Sequence, residues 1–97
     1  MIRDREPPMT IEGAEALAIR ALAFLAGEPE ELGRFLALTG IGPEMLRSAA
    51  ADPGFLAAVL EHFMENEPLL LVFAARENVR PTLIAAARYL LDREITD

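Results

Sequence analysis

A chain of 97 residues with a net charge of −7 and no cysteine has no disulfides, thiolate metal sites or thiol catalysis. Its acidity also opposes non-specific binding to nucleic acid or anionic lipid. The apolar content is 53%, yet a chain of this length buries only roughly 60–65% of the surface its unfolded form exposes, an excess that favours a homo-oligomer or a partner-binding face.

The opening residues from Met1 to Pro8 are polar and lack the apolar run of a signal peptide. No stretch approaches the roughly 18 apolar residues of a bilayer span, so the expectation is a cytoplasmic protein with no membrane partner. All nine basic residues are arginine. Their scatter fits codon bias better than forked recognition of phosphate or carboxylate.

The organisation expected is a flexible leader over residues 1–9, a single helical domain over 10–92 and a tail over 93–97. Pro7-Pro8 cannot seed a helix. Thr10 then offers an N-cap, with Glu12 in the first turn to suit the helix dipole. The first helix carries Ile11, Ala14, Leu17, Ala18, Ala21, Leu22, Phe24 and Leu25 on one broad arc and stops at Gly27. Ile19 lies outside that arc.

The second helix opens at Pro29, a residue suited to a first helical position, and buries Leu32, Phe35 and Leu36. Gly40 ends it in the left-handed conformation that glycine adopts freely. A third helix is expected from Pro43 to about Ala51, carrying Met45, Leu46, Ala49 and Ala50. Asp52-Pro53 is a cap and first-turn proline for the fourth, which turns Leu56, Val59, Leu60 and Phe63 inward and leaves Glu61 and Glu65 outside.

Pro68 opens a fifth helix whose Leu69-Leu70-Leu71-Val72-Phe73 is apolar all round, so this is expected to be the most buried element. Asn78 plays the part of Gly40. Pro81 opens a sixth helix through about Asp92, with Leu83, Ile84, Ala87, Leu90 and Leu91 inward. The fold class is therefore all-α, a compact bundle of five to six short helices with no strand.

A repeat spaced by 38 to 39 residues runs through this pattern. The segment from Phe35 to Leu46 aligns with that from Phe73 to Ile84, with Phe, Ala and Pro identical in register. The pairing describes two helix-turn-helix units. Ile41 and Val79 each stand between a left-handed cap and a helix start, where an apolar side chain folds back onto both helices.

Phe35, Leu38, Gly40, Ile41, Gly42, Pro43 and Ala49 resemble the helix-hairpin-helix motif. In that family the N–H groups around two glycines hold a nucleic-acid phosphate, aided by a nearby basic side chain and a helix N-terminus. The resemblance implies a candidate binding turn at Gly40, Ile41 and Gly42, with Arg47 and Arg80 near the two hairpin turns. Glu44 departs from the pattern, standing where a basic residue is usual, as do Leu46 and the second turn, Asn78-Val79-Arg80. Charge disfavours this reading.

A second resemblance extends from Thr10 to Leu91. The run from Ala16 to Ala26, then Leu32-Gly33-Arg34-Phe35-Leu36 and Gly42-Pro43-Glu44-Met45-Leu46-Arg47, is similar to a family of small uncharacterised alphaproteobacterial proteins. It implies a helical fold and carries no activity.

No constellation supports catalysis. His62 is the one histidine; with Glu61 and Glu65 beside it, it reads as a solvated or rim residue rather than a metal ligand, since a carboxylate-bridged bundle needs several such sets. Ser48 has no base in reach. Gly40-Ile41-Gly42 lacks the strand and third glycine of a nucleotide loop. Arg34, Arg47, Arg76 and Arg80 are expected to pair at the surface with Glu30, Glu31, Glu44 and Glu77, contributing little. The reading is a non-enzyme without cofactor or small-molecule substrate: an interaction module that binds a protein partner or itself, with phosphate-backbone binding as the alternative.

Overall fold

The computed structural model describes residues 9–96, leaving residues 1–8 of the expected leader and Asp97 outside it. Met9, assigned to that leader, packs against the core. Six helices follow: α1 (Ile11–Ala26), α2 (Pro29–Thr39), α3 (Leu46–Ala49), α4 (Pro53–Met64), α5 (Glu67–Glu77) and α6 (Pro81–Thr96), with a 3-10 turn at Pro43–Met45 before α3. The fold is an all-α bundle, and no strand occurs among the described residues.

Local chemistry sets the helix ends. The Thr10 hydroxyl accepts from the Gly13 N–H at 2.9 Å, and the Asp52 carboxylate accepts from the Gly54 N–H at 3.0 Å. Each satisfies a first-turn donor that has no intrahelical partner. Asn66 caps α5 by accepting from Leu69 N–H at 3.3 Å, so the helix begins at Glu67 and Pro68 falls in its first turn. Gly40 (φ 76°) and Asn78 (φ 58°) both take the left-handed conformation. The Gly40 N–H donates to Leu36 O at 2.8 Å, and Val79 N–H reaches Ala74 O at 3.0 Å. Ile41 and Val79 both pack against the core, as the repeat requires of two apolar plugs.

The units otherwise diverge. The expected third helix is reduced to a 3-10 turn and one α-turn with no buried residue, whereas the helix after Asn78 is α6, of 16 residues. It continues to Thr96, through the segment expected as a tail. Among these elements α1, α4 and α6 form the central three-helix bundle, with α4 packed most extensively on α6.

The helix expected to be most buried is not. Pro68, Leu71, Val72 and Ala75 of α5 all face outward, and only Phe73 and Ala74 are buried. The centre belongs to α4, where Phe55, Leu56, Ala57, Val59, Leu60, His62 and Phe63 are buried. Its neighbours α1 and α6 cover one side, and Phe35 of α2 covers another by meeting Phe55 edge-on at 5.6 Å. An apolar run states that a helix has much to bury; its neighbours decide how much is covered. α5 is anchored by Phe73, whose ring lies 5.0 Å from Phe63 and 5.6 Å from Phe24.

Candidate functional site

The glycine turn is closed from within. The Gly40 N–H is engaged by Leu36 O, and Ile41 N–H donates to the Thr39 hydroxyl at 3.4 Å. That hydroxyl in turn donates to Phe35 O at 2.9 Å. Pro43 has no N–H to offer. Gly42 adopts φ −81°, open to any residue, and a Cβ placed on it would lie 2.7 Å from Glu44 Oε2. A carboxylate therefore sits against the glycine at which a phosphate would approach, and like charge there opposes an anion.

Arg47 lies on α3 and Arg80 beside the other turn, both exposed. No hydrogen bond or ion pair among the described residues joins either guanidinium to Gly40, Ile41 or Gly42. Of the surface pairs expected, Arg34 Nε stands 3.7 Å from Glu31 Oε1. Glu77 instead takes Arg20 of α1, at 2.6 Å, while Arg76 lies over the Phe24 ring, 4.9 Å from its centroid, where a cation is attracted by the ring face.

His62 corrects the sequence reading. It is 8% exposed, with Nε2 3.3 Å from Glu31 Oε1. Because a carboxylate only accepts, Nε2 carries the proton. Its ring also meets Phe35 edge-on at 5.4 Å. The histidine is a buried tie between α4 and α2. A neighbour 31 residues away in sequence leaves no local signal. Glu65, three residues on from His62, turns to Glu61: a hydrogen bond to that carboxyl and its charge raise the Glu65 pKa. Glu61 also pairs with Arg88, which reaches Asp92 at 3.2 Å. No group of three or more histidine or acidic side chains among the described residues is placed to hold a metal.

What stands open is the outer face of α5. Pro68, Leu71, Val72 and Ala75 recur at i, i+3, i+4 and i+7 and form one stripe. Leu71 and Val72 are 48% and 54% exposed. At the Pro68 end, Leu38 of α2, 72% exposed, shares with Arg34, Pro68, His62, Glu65 and Glu67 a cleft of about 290 Å³. At the other end, Ala75, Val79, Leu83 and Ala86 line an open groove of about 760 Å³ between α5 and α6, with Arg80 and Asn78 at its mouth. Charge is absent along the stripe itself and concentrated at its ends.

Residues 11–94 match the model of the family described as protein of unknown function DUF3572. The chain belongs to that family. No curated protein and no solved structure gives a significant match. The DUF3572 match spans the helical bundle from the start of α1 into the last turn of α6, so glycine turn, buried histidine and open α5 face all lie inside the family's domain. No described helix is long and apolar enough to cross a membrane.

Proposed function

We propose that this protein is an interaction module whose working surface is the outer face of α5. The observation that carries the reading is the uncharged stripe Pro68, Leu71, Val72 and Ala75 on a chain of net charge −7. Depletion of charge around exposed apolar side chains marks the centre of protein interfaces, whereas singly scattered exposed apolar residues carry no such meaning. Here four adjacent positions of one helix share the property, and Leu38 extends it across the neighbouring cleft.

The test is association of the full chain, measured by light scattering and by cross-linking from a photoreactive residue at Val72 in the native cell. Leu71→Asp and Val72→Asp abolish association while helicity by circular dichroism stays at the wild-type level, because both side chains point away from the core. A chain that forms no cross-link to any protein, itself included, removes the reading.

A further inference from the structure

Resting on that reading, we propose that the occupant of the α5 face is a second copy of the same chain, docked antiparallel about a twofold axis near Leu71 and Val72. A twofold contact requires one patch to be complementary to itself when turned end over end. Two independent features of the stripe meet that requirement.

The first is charge. At the Pro68 end stand Glu65 and Glu67, both exposed and without an ion pair among the described residues, on a cleft that also holds Arg34, 3.7 Å from Glu31. At the Ala75 end stand Arg80 and Arg76, both exposed and without an ion pair among the described residues, Arg76 lying over the Phe24 ring; Glu77 is taken by Arg20. The stripe is thus acidic in balance at one end, where two carboxylates face one guanidinium, and basic at the other. Reversal of a second copy sets each acidic end against a basic end. A uniformly basic partner would meet like charge at Arg76 and Arg80, and a uniformly acidic one at Glu65 and Glu67. For two chains of −7, whose overall fields repel, this local pairing and the uncharged centre lower the electrostatic cost of contact at the α5 face.

The second is shape. Leu38 stands out at the acidic end, 72% exposed. The open groove at the basic end is floored by small and aliphatic side chains: Ala75, Val79, Leu83 and Ala86. In the proposed dimer, Leu38 of each copy occupies the groove of the other. The two insertions flank a centre where Leu71 meets Val72 of the second copy, an apolar core with a charged rim.

Sedimentation velocity over a concentration series on the full chain decides the matter. The expected result is a monomer–dimer equilibrium. Leu38→Arg and Ala86→Phe each shift it to monomer, the first by setting like charge against Arg80 at the groove and the second by filling that groove. Glu67→Arg and Arg80→Glu each weaken the dimer about tenfold, since every contact occurs twice in a twofold interface. Glu67→Arg and Arg80→Glu combined in one chain restore wild-type association, a result that loss of fold cannot imitate.

A wild-type chain that stays monomeric overturns the second copy as occupant, and so does a dimer indifferent to these changes. If that monomer cross-links from Val72 to a different protein, the interaction module survives with another partner. If it cross-links to nothing, both readings fall.

Discussion

The His62 imidazole, 8% exposed, meets the Glu31 carboxylate at 3.3 Å across the gap between α4 and α2. The same imidazole lies edge-on to Phe35, so one side chain both fills space under α2 and satisfies a carboxylate on it. α2 has no other buried residue than Phe35. Leu32 and Leu36 add partly buried contacts, and this corner is the one fully buried anchor of the helix. His62→Ala removes a buried ring and the hydrogen bond to Glu31, which among the described residues keeps only Arg34 at 3.7 Å, a combination expected to lower stability by about 2–3 kcal/mol. Urea unfolding checks it, and a loss below about 0.5 kcal/mol would show that α2 is held by other means.

The two glycines of the 40–42 turn separate by conformation. Gly40 sits at φ 76°, where a Cβ crowds the following carbonyl, so Gly40→Ala is expected to cost about 1–2 kcal/mol. Gly42 sits at ordinary φ, and the nearest atoms to an added Cβ belong to the free end of Glu44. That carboxylate swings away at little cost, which makes Gly42→Ala neutral within about 0.5 kcal/mol. Equal losses at both sites in thermal unfolding would contradict this division.

The same turn bears on the nucleic-acid alternative. With the Gly40 and Ile41 N–H groups engaged inside the turn and Glu44 against Gly42, wild-type protein is expected to leave DNA anisotropy unchanged even at low salt, where phosphate contacts are strongest. Salt-sensitive binding lost on Gly42→Val would reinstate the helix-hairpin-helix reading.

These cases mark where sequence reading succeeds. Gly40, Asn78 and the prolines act on their own backbone, so turn positions follow from residue type alone. Asn66, three residues before Leu69, carries an equally local cap signal, and it starts α5 ahead of Pro68. Burial is different in kind. Leu69 to Phe73 and the α4 sequence are both strongly apolar, and nothing within either run states that α1 and α6 close on α4 while α5 keeps one face in solvent. His62 is the sharpest instance, because its local neighbours Glu61 and Glu65 suggested a rim and its actual partner comes from α2. The open stripe of α5 was in view as composition, in the 53% apolar content, but its address required the fold.

That difference between α4 and α5 can be measured. Phe63 is fully buried and touches both Phe24 and Phe73, so Phe63→Ala is expected to cost about 3–5 kcal/mol. Val72 is half exposed, and at protein concentrations that hold the monomer Val72→Ala stays within about 0.5 kcal/mol of wild type. Comparable losses at the two sites in urea unfolding would return α5 to the core.

The Glu61–Glu65 pair gives the bundle a pH signature at the end of α4. Glu65 is pushed above its ordinary pKa by its hydrogen bond to Glu61, next by the Glu61 charge and by desolvation; His62 and Arg88 act in the opposite direction. A carboxyl whose pKa is higher in the folded state binds its proton more tightly there. Its contribution to stability is therefore full below the ordinary value and disappears as pH rises through the raised one. Above that raised pKa the Glu65 charge is repelled by the Glu61 carboxylate. Glu65→Gln keeps the hydrogen bond to Glu61 without the charge, so the variant should melt higher than wild type at neutral pH. The gap should close as pH falls through the raised pKa of Glu65, where wild type regains the proton that the amide replaces. Thermal melts of the two proteins across that range test the assignment. A gap independent of pH would mean that Glu65 does not share its proton with Glu61, and a wild type that melts higher at neutral pH would reverse the sign of the pair.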